Sequence, residues 1–376
     1  MHILHIYKDY FPVLGGIENH LRDVAVGLAE RGTHVTVLVT NTVGATVTEQ
    51  SGSLRIIKAA RQFHAASTPL SWQMFAQAHG LPAVDVVQLH FPYPPGDLVA
   101  RAVPGAPPLV ISYHSDIVRQ QGILRLYAPL LRATLARAAR ILVASPAYMH
   151  SSVWLRPHHA RCTILPYGIE LARFAAPDAA AVAAVRARYQ HAPLLLFVGR
   201  LRYYKGLHFL LEAMPQINQT HPDARLLIVG VGPEQARLQA QAHAAGIGEQ
   251  VHFLGEVDDA ELPAVYAAAD VFVLPSHLRA EAFGIVQIEA QASGLPIVCA
   301  ELGTGTSFVT QHGRTGLVVH PADPAALARA IAVLLANPDL ARTLGAAGRR
   351  RAHAEFSQPV MLDRLQAVYQ DVVAHA

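Results

Sequence analysis

Three shortages in this chain each close off a class of function. Only Cys162 and Cys299 carry thiols among 376 residues, far apart and without metal spacing near either, so neither a disulfide framework nor a zinc module is expected, and the usage fits a reducing cytosol. No run of 18 apolar residues is free of charge, so no membrane-spanning helix is expected. The opening Met1-His2-Ile3-Leu4-His5-Ile6-Tyr7 reads as a short strand rather than a signal peptide. Lysine is scarcer still: 27 arginines stand against Lys8, Lys58 and Lys205 alone. Asp-x-Asp is absent, which removes the usual carboxylate pair for a bridging metal. Gly-x-Gly-x-x-Gly is absent too, both at Gly15-Gly16 and at Gly230-Val231-Gly232, which counts against a nicotinamide enzyme. A net charge of +3 is too small to indicate a nucleic-acid partner.

What is present is a globular composition, 52% apolar and 15% charged, long enough for two domains that each bury a core. Residues 1–170 hold 14 basic against 9 acidic side chains and the remainder 16 against 18, a first half suited to docking on an anionic surface. Short apolar runs alternate with amphipathic ones. Strands are predicted at Ile3–Tyr7, His34–Thr40, Val84–His90, Leu109–Tyr113, Ile141–Ala144 and Thr163–Pro166. A second set lies at Leu194–Val198, Arg225–Gly230, Val251–Leu254, Val271–Leu274, Pro296–Cys299 and Gly316–Val319. Helices between them, such as Ile17–Arg31, Gly206–Ile217 and Ala325–Leu335, imply parallel sheets covered on both faces. The expected domains are 1–170 and 193–356, joined by an Ala-rich linker at 171–192 and followed by a terminal helix at 357–376.

The most informative run is Pro275 to Ala290. A buried strand ends at Pro275, and the following loop carries Glu281, Phe283 and Gly284 into a helix holding Ile285, Val286 and Glu289. The first free N–H groups of such a helix, about Phe283 to Val286, can bind an anion. Carboxylates beside an anion cradle make sense if the ligand also offers hydroxyls, as a sugar diphosphate does. Arg200 and Lys205 follow another strand, and a lysine where arginine is the default hints that a compact ammonium is wanted. Gly15-Gly16 after the first strand is either a phosphate loop or an ordinary turn.

Glu281-x7-Glu289 with Phe-Gly between resembles glycosyltransferase family 4, retaining enzymes of the GT-B fold. Gly199-Arg200-Leu201-Arg202-Tyr203-Tyr204-Lys205-Gly206, Gly15-Gly16, Tyr167-Gly168-Ile169-Glu170 and Gly230-Val231-Gly232-Pro233 resemble other motifs of that family, in its order and across nearly the whole chain. The resemblance implies an α/β architecture of two doubly wound Rossmann-like domains facing across a cleft, with the terminal helix packing back on the first. It implies a donor site at Gly15, Gly16, Arg200, Lys205, Glu281, Phe283, Gly284, Ile285, Val286 and Glu289. Catalytic roles fall on His114, Arg200, Lys205 and Glu281, and Glu289 would grip the ribose. His114 closes a strand as Tyr113-His114-Ser115-Asp116; the family's turn there steadies positive charge at the anomeric carbon by a backbone carbonyl and an imidazole. Asp116 is an acceptor-side base or a cap of the next helix.

The Arg279-Ala280-Glu281-Ala282-Phe283-Gly284 form resembles enzymes that move mannosyl or rhamnosyl groups in bacterial surface polysaccharides. The implied reaction is metal-independent hexosyl transfer, without a cofactor. Its donor would be a nucleoside-diphosphate sugar (a GDP-sugar ahead of a UDP- or dTDP-sugar) and its acceptor a glycan or polyprenyl-diphosphate-linked glycan. The place implied is the cytoplasm, with peripheral contact at the inner membrane face. Tyr167 stands where the family has Asn. The basic stretch Ile123–Arg140, with Arg125, Arg132 and Arg140 on one side, is either a lipid-headgroup contact or a core-packed helix with a solvated arginine face. Two rivals remain: a nucleotide-sugar 2-epimerase on the same fold, and a non-catalytic sugar-binding protein.

Overall fold

A computed structural model describes the chain apart from Leu14, Ala66, Ser67 and residues 118–120. It divides into two compact units, Met1–Ile169 with Gln358–Ala376, and Glu170–Ser357. Among the described residues no single helix is long and apolar enough to cross a membrane.

The first unit contains β1 (His2–Ile6), β2 (His34–Thr40), β3 (Val47–Ser51), β4 (Leu54–Ala59), β5 (Phe63–Ala65), β6 (Thr68–Leu70), β7 (Val86–Phe91), β8 (Leu109–Tyr113), β9 (Arg140–Val143) and β10 (Cys162–Ile164). Eight of these form one sheet in the order β10-β9-β8-β7-β1-β2-β4-β3, while β5 and β6 pair by themselves. All neighbours in the large sheet are parallel except β3, antiparallel to β4. The apolar runs at β7 and β8 are buried along their whole length, as strands covered on both faces must be. The sequence pattern did not show β3: Val47-Thr48-Glu49-Gln50-Ser51 is exposed throughout and has no apolar face to reveal it. The helix Gln358–Ala374 lies against the helix Gly16–Glu30. Gly27 has only 2.5 Å between the place of a Cβ and Leu362, and Arg31 reaches Asp363 at 2.7 Å.

The second unit contains β11 (Leu194–Val198), β12 (Arg225–Val229), β13 (Val251–Gly255), β14 (Val271–Leu274), β15 (Ile297–Ala300) and β16 (Gly316–Val319). They are parallel throughout, in the order β13-β12-β11-β14-β15-β16. Strand order reverses between β11 and β14. In doubly wound sheets the loops leaving such a pair of strands open the ligand crevice. The first sheet reverses in the same way between β1 and β7.

Two expectations need correction. The stretch 171–192 is not a linker: it forms helices Ala172–Ala175 and Ala179–Arg188, both within the second unit. Phe174 is buried edge-on against Tyr266, and Arg186 grips Asp270 with two bonds of 2.8 and 2.9 Å. An alanine-rich helix with weak amphipathicity gives no packing signal in sequence, so its anchors stayed hidden. The basic stretch is likewise divided. The helix Gln121–Arg137 carries Arg125 and Arg132, with Pro129 inside it, but Arg140 opens β9 and pairs with Asp371 at 2.7 Å.

Asp97 supplies a stability test in the first unit. It is 1% exposed and accepts a hydrogen bond from Tyr127 at 2.5 Å. Burial raises its carboxyl from the usual 3.8 to about 7, against the pull of Tyr127, Arg101 and Arg137. The folded state therefore keeps a proton that the unfolded chain releases. This group's contribution to stability falls as pH rises from about 4 to 7, by up to roughly 1.4 kcal/mol per pH unit, and levels off above. Asp97→Asn cannot ionise and removes that slope. Urea midpoints followed across this window should fall less for the variant than for the native chain; parallel curves would show that Asp97 folds ionised.

Candidate active site

In the second unit the sequence folds so that two loops meet in backbone contact. After β11 the chain runs through Gly199 and Arg200 into a 3₁₀ turn, Tyr203–Lys205, and then Gly206. Gly206 has φ +70°, and a Cβ there would lie 2.0 Å from the carbonyl oxygen of Pro275, which leaves β14. Only glycine admits both the left-handed backbone and that approach. The His277 N–H donates to the Tyr204 carbonyl at 3.0 Å and closes the join. Gly230 plays a similar part at one side: its Cβ would fall 2.2 Å from the Gly199 carbonyl oxygen. The family-like loop Gly230-Val231-Gly232 thus packs the exit of β12 onto the exit of β11.

The join brings Lys205 and Glu281 together. The Lys205 ammonium donates to Glu281 Oε2 at 2.6 Å, Ser276 Oγ donates to the same oxygen at 3.0 Å, and Thr304 Oγ1 donates to the Glu281 carbonyl at 2.8 Å. The two charged side chains are 10% and 9% exposed. Burial works against the Lys205 charge, but the Glu281 carboxylate and the Tyr204 hydroxyl outweigh it, and its pKa stands above the ordinary lysine value. Among the described residues both side-chain bonds to this carboxylate fall on Oε2, so Oε1 remains to accept from a ligand. Arg200, at the mouth of the same loop, is exposed and has no ion-pair partner among the described residues.

Glu289 lies in the two-turn helix Val286–Ala292, which begins later than Phe283 and is short. Phe283 is core: its ring packs on Phe308 and Phe356. Gly284 has φ +79°, Gln287 N–H donates to the Gly284 carbonyl and Ile288 N–H to that of Ile285, so Ile285 and Val286 form the first turn. The Glu289 carboxylate accepts from Tyr266 Oη at 2.7 Å and has an Arg173 nitrogen at 3.9 Å. Burial raises its pKa against the effects of Tyr266 and Arg173, with Asp259 adding to the rise.

The first-unit residues have different company. Gly15 precedes the helix Gly16–Glu30 in extended backbone, and the Glu18 carboxylate lies across it, 2.2 Å from the place of a Cβ and 3.8 Å from Lys8 Nζ. That helix start already faces an anionic side chain. His114 is 5% exposed, and both its ring nitrogens meet protein partners: His90 Nδ1 at 2.9 Å and Tyr167 Oη at 2.5 Å. Asp116 accepts from Tyr113 Oη at 2.8 Å and Ser152 Oγ at 2.7 Å, while its N–H donates to Tyr148 Oη. This ties the loop down; the residues just before the next helix, 118–120, lie outside the described residues, and with them the capping alternative. Sequence reasoning did not find Ser276, Thr304, Tyr266, Arg173, His5, His20 or His90. For His5 and His90 a signal existed, since an imidazole inside an otherwise apolar strand needs a partner.

The join can be tested by stability alone. Gly206→Ala combines a left-handed backbone with a Cβ contact no backbone tolerates, so it should destabilise by about 2–4 kcal/mol. Gly16→Ala, with nothing within 4 Å of its Cβ, should leave the urea midpoint unchanged or slightly raised. Equal midpoints for both variants would show that the two loops do not need their contact.

Comparison with known proteins identifies the family. Residues 14–173 match the family model described as Glycosyltransferase Family 4, and residues 181–351 the one described as Glycosyl transferases group 1. The chain is 39% identical over 361 residues to D-rhamnosyltransferase WbpZ of Pseudomonas aeruginosa, covering 95% of this chain and 92% of that one. It is 33% identical to O-antigen chain mannosyltransferase C of Escherichia coli, over 98% of both chains. Among solved structures, sucrose-phosphate synthase from Thermosynechococcus elongatus superimposes with a TM-score of 0.82 and 27% identity, covering all of both chains. With these matches spanning both units, the chain belongs to glycosyltransferase family 4 and is a glycosyltransferase of the GT-B fold.

Proposed function

We propose that this glycosyltransferase moves a mannosyl or rhamnosyl group from a nucleoside-diphosphate sugar to a glycan or lipid-linked glycan in the synthesis of a bacterial surface polysaccharide, with retention and without a metal. The observation that carries the reading is the buried Lys205–Glu281 pair at the reversal of the second sheet, next to the exposed Arg200. Paired with Glu281, Lys205 contributes little net charge, so the field at the loop mouth is set by Arg200. An arriving diphosphate attracts the ammonium. Glu281 keeps the Ser276 bond and uses its other oxygen for a sugar hydroxyl, while Tyr266 presents Glu289 to the ribose. As the glycosidic bond breaks, charge grows on the diphosphate, and the two cations stabilise that state more than the ground state. Of His114, the family resemblance leaves the backbone carbonyl as the group for its catalytic role, because its ring nitrogens are engaged elsewhere.

The names of the two bacterial relatives support the sugar and the pathway class, and GDP-mannose is the first donor to test. Exposed Arg125, Arg132 and the 86%-exposed Leu126 on one helix support a peripheral contact with an anionic membrane. Among the described residues no group of three or more His, Cys, Asp or Glu stands in an arrangement that could hold a metal, and the reading assigns the metal's usual load to Lys205 and Arg200.

Two experiments bear on this reading. Arg200→Ala, at an exposed position, should fold normally and lower kcat about a hundred-fold, as expected for one lost electrostatic contact to a leaving group. Lys205→Ala should do the same and also lower stability by about 3–5 kcal/mol, since it strands the buried Glu281; Lys205→Arg should recover part of the rate. Wild-type kcat in Arg200→Ala and in a folded Lys205→Ala would remove the diphosphate role. EDTA should leave turnover nearly intact; abolition reversed by magnesium or manganese would refute the metal-independent step.

A further inference from the structure

A hollow of about 400 Å³ lies in the second unit, between the turn at 311–315 and the helix Pro338–Glu355. The turn leads into β16, so the hollow sits at the amino ends of the strands. Lys205 and Glu281 follow β11 and β14 at the carboxyl ends, on the opposite edge of the same parallel sheet. Arg314, Arg350, Arg351 and Glu355 line the hollow, with Gln311 and Thr315 beside them. The reading above uses none of these residues.

The scaffold of the hollow is fixed. The Arg314 and Thr315 N–H groups donate to the Gln311 carbonyl at 3.0 and 2.9 Å, and the Gln311 N–H donates to Thr315 Oγ1 at 2.9 Å, which closes the turn. Arg351, with a side chain 12% exposed, forms the inner wall. It donates to Glu355 Oε1 and to the Phe308 carbonyl, each at 3.0 Å, and its guanidinium lies over the rings of Phe308 and Phe356. Its Nε–H is buried with no acceptor among the described residues. Burial lowers its pKa below the usual arginine value; Glu355 draws it up, and Arg314 pushes it down again. An arginine stays charged even so. Arg314 and Arg350 are exposed and have no ion-pair partner among the described residues. The neighbouring arginines differ: Arg342 pairs with Asp339, and Arg349 donates to the Ala175 carbonyl at 2.8 Å. One carboxylate against three guanidiniums leaves the lining with two positive charges.

We propose that this hollow binds a phosphate group, as inorganic phosphate or a phosphate monoester, at a site separate from that of the sugar diphosphate. A phosphate monoester carries between about 1.5 and 2 negative charges at neutral pH, which matches the two charges left over. Its oxygens suit the planar forks of Arg314 and Arg350, presented from two different elements. A carboxylate would offset only half of that charge.

Calorimetric titration of the full chain with inorganic phosphate, at an ionic strength fixed with sodium chloride, tests the site. Native protein is expected to bind phosphate, and Arg200→Ala to keep that binding, because its change lies at the opposite edge of the sheet. Arg314→Ala combined with Arg350→Ala should weaken it about tenfold or more. Both positions are exposed, so the double variant should keep the native urea midpoint. Lysine at both positions should recover part of the affinity. Equal phosphate affinity in the native and double-alanine proteins overturns the proposal, and so does loss of all phosphate binding in Arg200→Ala. Acetate should bind more weakly than phosphate; equal affinity overturns the assignment to phosphate. Flotation with phosphatidylcholine vesicles carrying phosphatidic acid separates the two sources of a monoester. Capture that the double-alanine variant loses assigns a lipid headgroup, and equal capture of both proteins assigns a soluble phosphate.

Discussion

The backbone contact of Gly206 with Pro275 is the constraint on which the arrangement of Lys205 and Glu281 depends. It fixes the exits of two strands 76 residues apart in sequence at Lys205 and Glu281, and it admits no side chain at Gly206. A buried ion pair is poor evidence for stability, since taking two charges out of water offsets much of their attraction. Here its value is chemical. The pair keeps the Lys205 ammonium in place, buried and compensated. Ser276 and Thr304 hold the Glu281 carboxylate and its backbone.

The two units solve their polar problems differently. In the second, charge is buried as a compensated pair with an open arginine beside it. In the first, the buried imidazoles His5, His90 and His114 are held neutral by burial and hydrogen-bonded to one another, while Glu18 lies buried near Lys8 and Arg61 pairs with Asp9.

Much of the fold could be read directly. The runs Leu194–Val198 and Val271–Leu274 are apolar on both faces, and only parallel central strands covered by helices bury such segments. The hairpin of β3 with β4 was not read: β3 is an exposed edge strand without apolar alternation, and β4 was missed although Leu54, Ile57 and Ala59 are buried. The helices within 171–192 were not legible either, because their anchors, Phe174 on Tyr266 and Arg186 on Asp270, are formed with residues some 80–90 positions away.

The sequence by itself determined the family motifs and their order, since segments such as Arg200 to Lys205 and Glu281 to Glu289 are short enough to be read in one stretch. It determined the parallel, doubly wound class for the same reason: hydrophobic period is a local property. Only the tertiary structure decided which of those residues share a hydrogen bond. That Lys205 lies on Glu281, that Glu18 covers Gly15, and that His114 has both nitrogens occupied are facts of strand order and loop contact. A single imidazole has no preferred partner until the sheet places His90 on one side and Tyr167 on the other.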